Sequence, residues 1–326
     1  MENSLPKSFE WVNNFKRYEG NPIIRPSGDW AADLIFNPAA IVKDDTVMLL
    51  CRGVNLSHKR RDINWSVSCL IWARSKDGIH FELDDKPFLY PDENCEYTGG
   101  VEDPRIVYIP EEQLYLLSYT GVKWDENGKL DAPCLLAISK DLENWEFLGE
   151  KFPARAVCII NEKIDGKYWG YYGNSNKYIT WSEDLINWHS DGEILIRPRR
   201  DSNPEYFDSC ICEGACPPIV SDEGILFIYN GATSIESTKE YSKKNFGMKS
   251  YTDWGMYSTG WVLIDRNDPK KVIARSEEPF LVPYESYECY GMVYFTIFSG
   301  GCVEFKGKHF LYYGACDNRI GVAIAE

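Results

Sequence analysis

The chain has 326 residues, 44% hydrophobic and 26% charged, which is enough apolar material for a real core and excludes wholesale disorder. Its formal charge of −15 repels phosphate backbones, so nucleic acid is excluded as the main partner. The opening MENSLPKSFEWVNNFKRYEGNP has no apolar leader and no run approaches 18 uninterrupted apolar residues, so the expectation is a cytoplasmic protein with no membrane association.

Taken in chain order, short β-rich runs dominate and helical periodicity is nearly absent. They are TVMLLCRG (46–53), CLIWARS (69–75), RIVYI (105–109), LYLLSYTG (114–121), CLLAIS (134–139), YWGYYGN (168–174), ILFIYNGA (225–232), GWVLID (260–265) and HFLYYGA (309–315). Between them lie KDG, IDGK and SDEG, which supply the positive-φ residues that tight hairpins need. Aromatic residues reach 14%, an excess that suits both strands and sugar stacking. Many short strands at even spacing mean a sandwich, barrel or propeller.

An internal repeat narrows that choice. ARSKDGIHFE (73–82) recurs as AISKDLENWEF (137–147) and as TWSEDLINWHS (180–190). In each, Ser and Asp hydrogen-bond the backbone of a turn, and an aromatic then plugs the next strand into the layer below. FLYYGACDNRIGVAIAE (310–326) closes the chain with a related strand. At roughly 65 residues per unit, the sequence holds about five four-stranded units. The expected fold is an all-β, five-bladed β-propeller forming one catalytic domain over residues 1–326. The polar stretch 234–260 between two strong strand signals is expected to be an irregular loop, either a lid or rim over substrate or a solvated insertion.

The chemistry concentrates in GGVEDPRIVY (99–108). Two glycines permit close backbone approach, Pro104 stiffens the chain after Asp103, and a strand follows at once. An acid mounted this rigidly suits catalysis; the plainer alternative is a turn aspartate capping Arg105. Cys210, Cys212 and Cys216 lack the spacing and the second pair of a zinc site. No metal or other cofactor is expected, and the eleven cysteines read as reduced, buried hydrophobes. No serine elbow, phosphate loop or dinucleotide fingerprint occurs.

GGVEDPRIVY, together with NPIIRP (21–26), FNPAAI (36–41), LLCRG (49–53) and YYGACDNRIGVAIA (312–325), resembles glycoside hydrolase family 130 nearly end to end. That family comprises five-bladed propellers acting on β-mannosides, most of them inverting phosphorylases and some of them hydrolases. The resemblance implies that Asp103 is the general acid and that Asn37, Arg52 and Asp317 grip the sugar, with Arg105 beside them. Asn, Arg and Asp offer paired donors and acceptors suited to vicinal hydroxyls. Pro38 departs from the serine that several phosphorylases carry there.

The resemblance also implies that Arg155 belongs to the phosphate site. The remaining cations of that site look replaced: Glu162 stands at a basic position, Gly173 or Asn174 at an arginine, Cys212 at a lysine and Asn230 at a histidine. One arginine amid added carboxylates makes a poor cradle for a dianion, so the expected reaction is hydrolysis with inversion. Inversion by water needs a second carboxylate as base. Glu213, followed by the small Gly214 and Ala215, is the favoured base; Glu162 and then Asp208 come after it. Tyr294, in CYGMVYFTIFSGG (289–301), is the preferred rim aromatic, ahead of Trp181, Trp254 and Phe298.

The expected function is therefore an inverting glycosidase acting on β-mannosides or short manno-oligosaccharides. The alternatives are a β-mannoside phosphorylase releasing mannose 1-phosphate and a non-catalytic carbohydrate-binding propeller. The expected partner is a small oligosaccharide, and a homo-oligomer is compatible with the sequence.

Overall fold

The computed structural model describes residues 5–59, 66–91, 97–124, 128–202, 205–247 and 254–326. The chain is all-β in its framework, as the short alternating runs predict. Strands Leu34–Lys43, Thr46–Lys59 and Ser66–Ser75 form one antiparallel run; Gly100–Ile109, Leu114–Trp124, Cys134–Ser139 and Trp145–Phe152 form a second. A single parallel pairing of Ser68 with Gly100 merges the two, which with the short strands Glu82–Leu83 and Leu130–Asp131 make a nine-stranded sheet. Next come the four-stranded sheet Cys158–Ile164, Lys167–Tyr172, Lys177–Ser182, Ile194–Ile196, and the sheet built on Ile211–Gly214, Gly224–Ala232, Tyr257–Ile264 and Val272–Arg275. The last sheet, Ile297–Phe305, Lys308–Ala315 and Arg319–Ala325, takes its outer strand, Lys16–Arg17, from the other end of the chain. Strand pairing closes none of these sheets into a barrel.

The repeat does what its residues predict. Ser75, Ser139 and Ser182 open three equivalent turns, in which Oδ1 of Asp77, Asp141 and Asp184 accepts backbone N–H groups at 2.7–2.9 Å. Trp145 and Trp188 then donate their indole N–H to the carbonyls of Leu142 and Leu185. Hairpins use the positive-φ pairs that right-handed twist demands: Asp165-Gly166 as read from the sequence, and also Asp44-Asp45 and Lys306-Gly307.

Apolar cores lie between successive sheets. Leu50, Leu70 and Trp72 pack with Ile106, Leu117 and Leu135; Leu116 and Leu136 pack with Ile159 and Tyr168; Cys158 and Tyr171 pack with Phe227 and Tyr229. Another core joins the last sheet to the first through Phe310, Tyr312 and Val322 against Leu49, Cys51 and Ile71. Among the first strands of these units, Leu34–Lys43, Gly100–Ile109 and Ile297–Phe305 contact one another, and Cys158–Ile164 contacts Gly100–Ile109. This arrangement brings their side chains to a common place.

One expectation is corrected. The polar stretch after residue 234 is not irregular throughout: Ile235–Phe246 is an α-helix. Ser234 caps it by accepting from Ser237 N, and Gly247, at φ 66°, ends it. Residues 248–253 of that stretch lie outside the described residues.

Candidate active site

Asp103 interrupts its own strand. The pairing of Gly100–Ile109 with Leu114–Trp124 slips between Glu102 and Arg105, and Asp103 sits at φ 47° in that bulge. Successive strand residues ordinarily face opposite sides. Here the bulge lets Glu102 and Asp103 both meet the same two arginines. Asn37 repeats the device: its strand slips between Phe36 and Ala39, its φ is 46°, and proline follows it too. Such left-handed residues cost of order 1–3 kcal/mol each and persist where the surroundings over-determine them. Gly314 is required here, because a Cβ on it would lie 2.3 Å from Asn37 Oδ1.

Around Asp103 the contacts are polar and buried. Asn37 Nδ2 donates to Asp103 Oδ1 at 2.9 Å. Arg52 lies 3.5 Å from that oxygen and also pairs with Glu102. Arg155 lies 3.7 Å from Asp103 Oδ2 and 3.5 Å from Glu102 Oε2. Burial pushes the Asp103 carboxyl up, but Arg52, Arg155, Arg105 and the Asn37 hydrogen bond outweigh it and hold the group below the usual carboxylate range. In the ligand-free protein Asp103 is an anion.

Arg52 and Arg155 keep side-chain exposures of 19% and 22% while their carboxylate partners are nearly closed off. Among the described residues, the Arg155 side chain makes only its two long ion pairs and no hydrogen bond. Its donors are largely unspent. Asp317 completes the cluster at φ 50°. Burial, with Asp103, Glu102 and Glu213 nearby, raises it to about 7 against the pull of Arg52.

Arg105 takes a different place from the one the sequence suggests. It is buried, donates to the carbonyls of Asp103 at 2.5 Å and Gly214 at 2.8 Å, and lies across the ring of Phe298. It ties the acid's strand to the strand carrying Glu213 rather than presenting its guanidinium to solvent. Glu213 is itself buried, 3.9 Å from Arg105, with Oε1 lacking a hydrogen-bond partner. Burial raises its carboxyl despite Arg105 and Arg155.

Three further candidates stand apart from the cluster's contacts. Glu162 pairs with Arg266 at 2.5 Å near the surface. Asn230 uses its amide at both ends on the Ser299 backbone, at 2.9 Å each, and so joins two sheets. Asp208 is enclosed by Arg199, Arg275 and the Tyr229 hydroxyl. Tyr294 is 40% exposed and meets Tyr290 edge-on at 6.2 Å. Trp181 lies beneath the Lys167 ammonium.

The sequence reading missed Glu102, Tyr257 and Lys177. Tyr257 is acted on by Glu213, Asp317, Arg155 and Asp103, and burial pushes its phenol up. Glu102 stood in the GGVEDPR motif, but strand alternation argues that neighbours diverge, and only the bulge reverses that. Among the described residues all cysteines are free and no group of His, Cys, Asp and Glu forms a metal site.

The family model described as beta-1,4-mannooligosaccharide phosphorylase matches residues 10–326. The chain is 32% identical over 316 residues to a 1,2-beta-oligomannan phosphorylase of Thermoanaerobacter sp. (strain X514), covering 95% of this chain and 97% of that one. Among solved structures it resembles the beta-1,2-mannobiose phosphorylase of Listeria innocua in complex with beta-1,2-mannobiose, with TM-score 0.78, 29% identity, and coverage of 96% and 97%. It also resembles a structure described under the words "the GH130 family of mannoside phosphorylases contains glycoside hydrolases that target beta-1,2 mannosidic linkages in Candida mannan", with TM-score 0.81, 32% identity, and coverage of 99% and 96%. A mounted acid among arginines and a family match over nearly the whole length lead to one conclusion: the chain belongs to glycoside hydrolase family 130.

Proposed function

We propose that this chain cleaves β-mannosidic bonds of short manno-oligosaccharides by inverting phosphorolysis. This reverses the order expected from sequence, where hydrolysis came first. The observation that carries it is Arg155: a partly exposed guanidinium with no internal hydrogen bond, set across Asp103 and Glu102. An arginine fork with free donors suits a phosphate. The related phosphorylases from Thermoanaerobacter and Listeria favour the same reaction and a β-1,2 linkage.

In this reading a phosphate oxygen attacks the anomeric carbon from the face opposite the leaving group. The glycosidic C–O bond breaks, the departing oxygen takes a proton from Asp103, and α-mannose 1-phosphate forms. Asp103 is an anion in the ligand-free protein, so that proton arrives with the nucleophile: monohydrogen phosphate passes its own proton to Asp103, and the products are the mannose 1-phosphate dianion and the neutral alcohol. A dianion bound at Arg155 draws that positive charge away from Asp103 and raises its affinity for the proton. The acid is thereby loaded only when the nucleophile is present. Asn37, Arg52 and Asp317 are assigned to the mannose hydroxyls, in a central pocket of a five-bladed propeller; apolar cores between the two halves of the nine-stranded sheet, between successive sheets, and between the last sheet and the first support that architecture.

A second reading, hydrolysis, is favoured by Glu213, a buried carboxylate with an unpartnered oxygen that could accept a proton from water. Turnover of β-1,2-mannobiose by the wild type and Arg155→Met, with phosphate varied, tests the proposal. Phosphorolysis requires the substitution to raise the KM for phosphate by tenfold or more. Equal turnover by both proteins without phosphate would instead assign hydrolysis.

A further inference from the structure

Behind Glu213 lies a group that the mechanism above does not use. Lys177 begins the strand Lys177–Ser182, is fully buried, and its ammonium has no hydrogen-bond partner. An unpaired ammonium in a protein interior costs several kcal/mol and ordinarily loses its charge or finds a carboxylate. The strand carrying Glu213 also contacts the strand that Lys177 begins, and Glu213 Oε1 accepts no hydrogen bond, its one ion pair being the long 3.9 Å contact with Arg105. An unpartnered ammonium and a carboxylate held by one long ion pair, on contacting strands, are suited to balance each other's charge.

We infer that Lys177 is a positioning residue whose charge neutralises Glu213 from behind the site, so that a phosphate dianion can bind in front of it. The inference rests on the phosphorolytic reading. Arg105 is shared with the carbonyls of Asp103 and Gly214, so without a second counter-charge Glu213 would repel phosphate at low effective dielectric. With it, Glu213 and Lys177 together add no net charge to the site. The remaining groups facing Lys177 are Cys158 and Cys212, both buried thiols, and Arg105, which opposes its charge. Glu213 is faced by Arg105, Arg155, Asp103 and Lys177. Burial lowers Lys177 to about 8, so the neutralisation is present below that pH and fades above it.

The test is the full chain with Lys177→Met, with Lys177→Gln as a second variant should the first not fold. In phosphorolysis assays the KM for phosphate is expected to rise several-fold while the KM for mannobiose is unchanged, and the double variant with Glu213→Gln is expected to recover the wild-type phosphate KM. Wild-type phosphate affinity is expected to fall as pH passes 8, a change absent from the variant. Independently of any activity, ¹³C-carboxyl NMR of the ligand-free protein, with Glu213→Gln assigning the signal, should show the Glu213 titration moved upward by about one pH unit or more. An unmoved Glu213 titration in a folded variant overturns the inference, whatever the reaction proves to be. A moved titration without any phosphate dependence would retain the charge pairing and overturn the phosphorolytic reading alone.

Discussion

Asn37 and Asp103 are 66 residues apart, yet they meet through a hydrogen bond of 2.9 Å, each in a left-handed conformation, each in a bulge, and each followed by proline. Asp103 is thus held by a second residue that is under the same backbone strain. Replacing Asn37 separates the bond from the strain. Asn37→Ala loses both the bond and a residue type tolerant of positive φ; Asn37→Gly loses only the bond. Glycine is expected to be the more stable variant by about 1–2 kcal/mol in denaturant unfolding, with turnover reduced strongly in both.

Arg105 and Arg155 make an instructive pair because both approach Asp103 but differ in burial. Arg105→Met leaves the carbonyls of Asp103 and Gly214 without their donor and Glu213 without its nearest cation, so a loss of about 3–5 kcal/mol in stability is expected. Arg155→Met removes two long ion pairs of a partly exposed guanidinium, so it should cost less stability than Arg105→Met while sharply reducing turnover. Parallel urea melts and initial rates decide the matter.

The pH dependence of stability has a defined sign at Asp317. Its folded-state value, about 7, is raised above the ordinary carboxylate value, so the folded protein retains a proton that the unfolded chain has released. Stability contributed by this group is therefore full at low pH and is lost as pH rises toward 7. Asp317→Asn should flatten the decline between about pH 4 and 7, as followed by melting temperature. Asp103 acts oppositely: held low in the fold, it contributes stability that is lost as pH falls into the acid range.

The repeat turns offer a control away from the chemistry. Asp184 Oδ1 accepts from Ile186 N and Asn187 N at 2.9 and 2.8 Å. Asp184→Ala should cost about 1–2 kcal/mol of stability and leave kcat and KM unchanged in assays at a temperature well below unfolding.

Much of this was legible in the sequence, for physical reasons. The Ser-x-Asp turns announce themselves because their hydrogen bonds are local, and the all-β framework follows from short alternating runs. Asp103 was visible because rigid mounting leaves a trace, Gly-Gly before it and Pro after it. What the sequence hid is non-local. Alternation along a strand argues that Glu102 and Asp103 diverge, and nothing local reports the bulge that turns both inward. Arg105 and Asn230 look like ligands for sugar by residue type, but both donate to backbone carbonyls, Arg105 to Asp103 on its own strand and Gly214 on another, Asn230 to Ser299. Lys177 carries no local signal of its burial, because the groups that face it, Cys158, Arg105, Cys212 and Glu213, come from other strands. The choice of water or phosphate depends on the summed charge of residues from several sheets, which no single motif encodes.

That choice is settled most directly by product identity. Purified protein would be incubated with β-1,2-mannobiose with and without inorganic phosphate, and followed by ³¹P and ¹H NMR. The account predicts α-mannose 1-phosphate and mannose in equal amounts with phosphate, and negligible cleavage without it. Two equivalents of free mannose, released at the same rate in phosphate-free buffer, would contradict it.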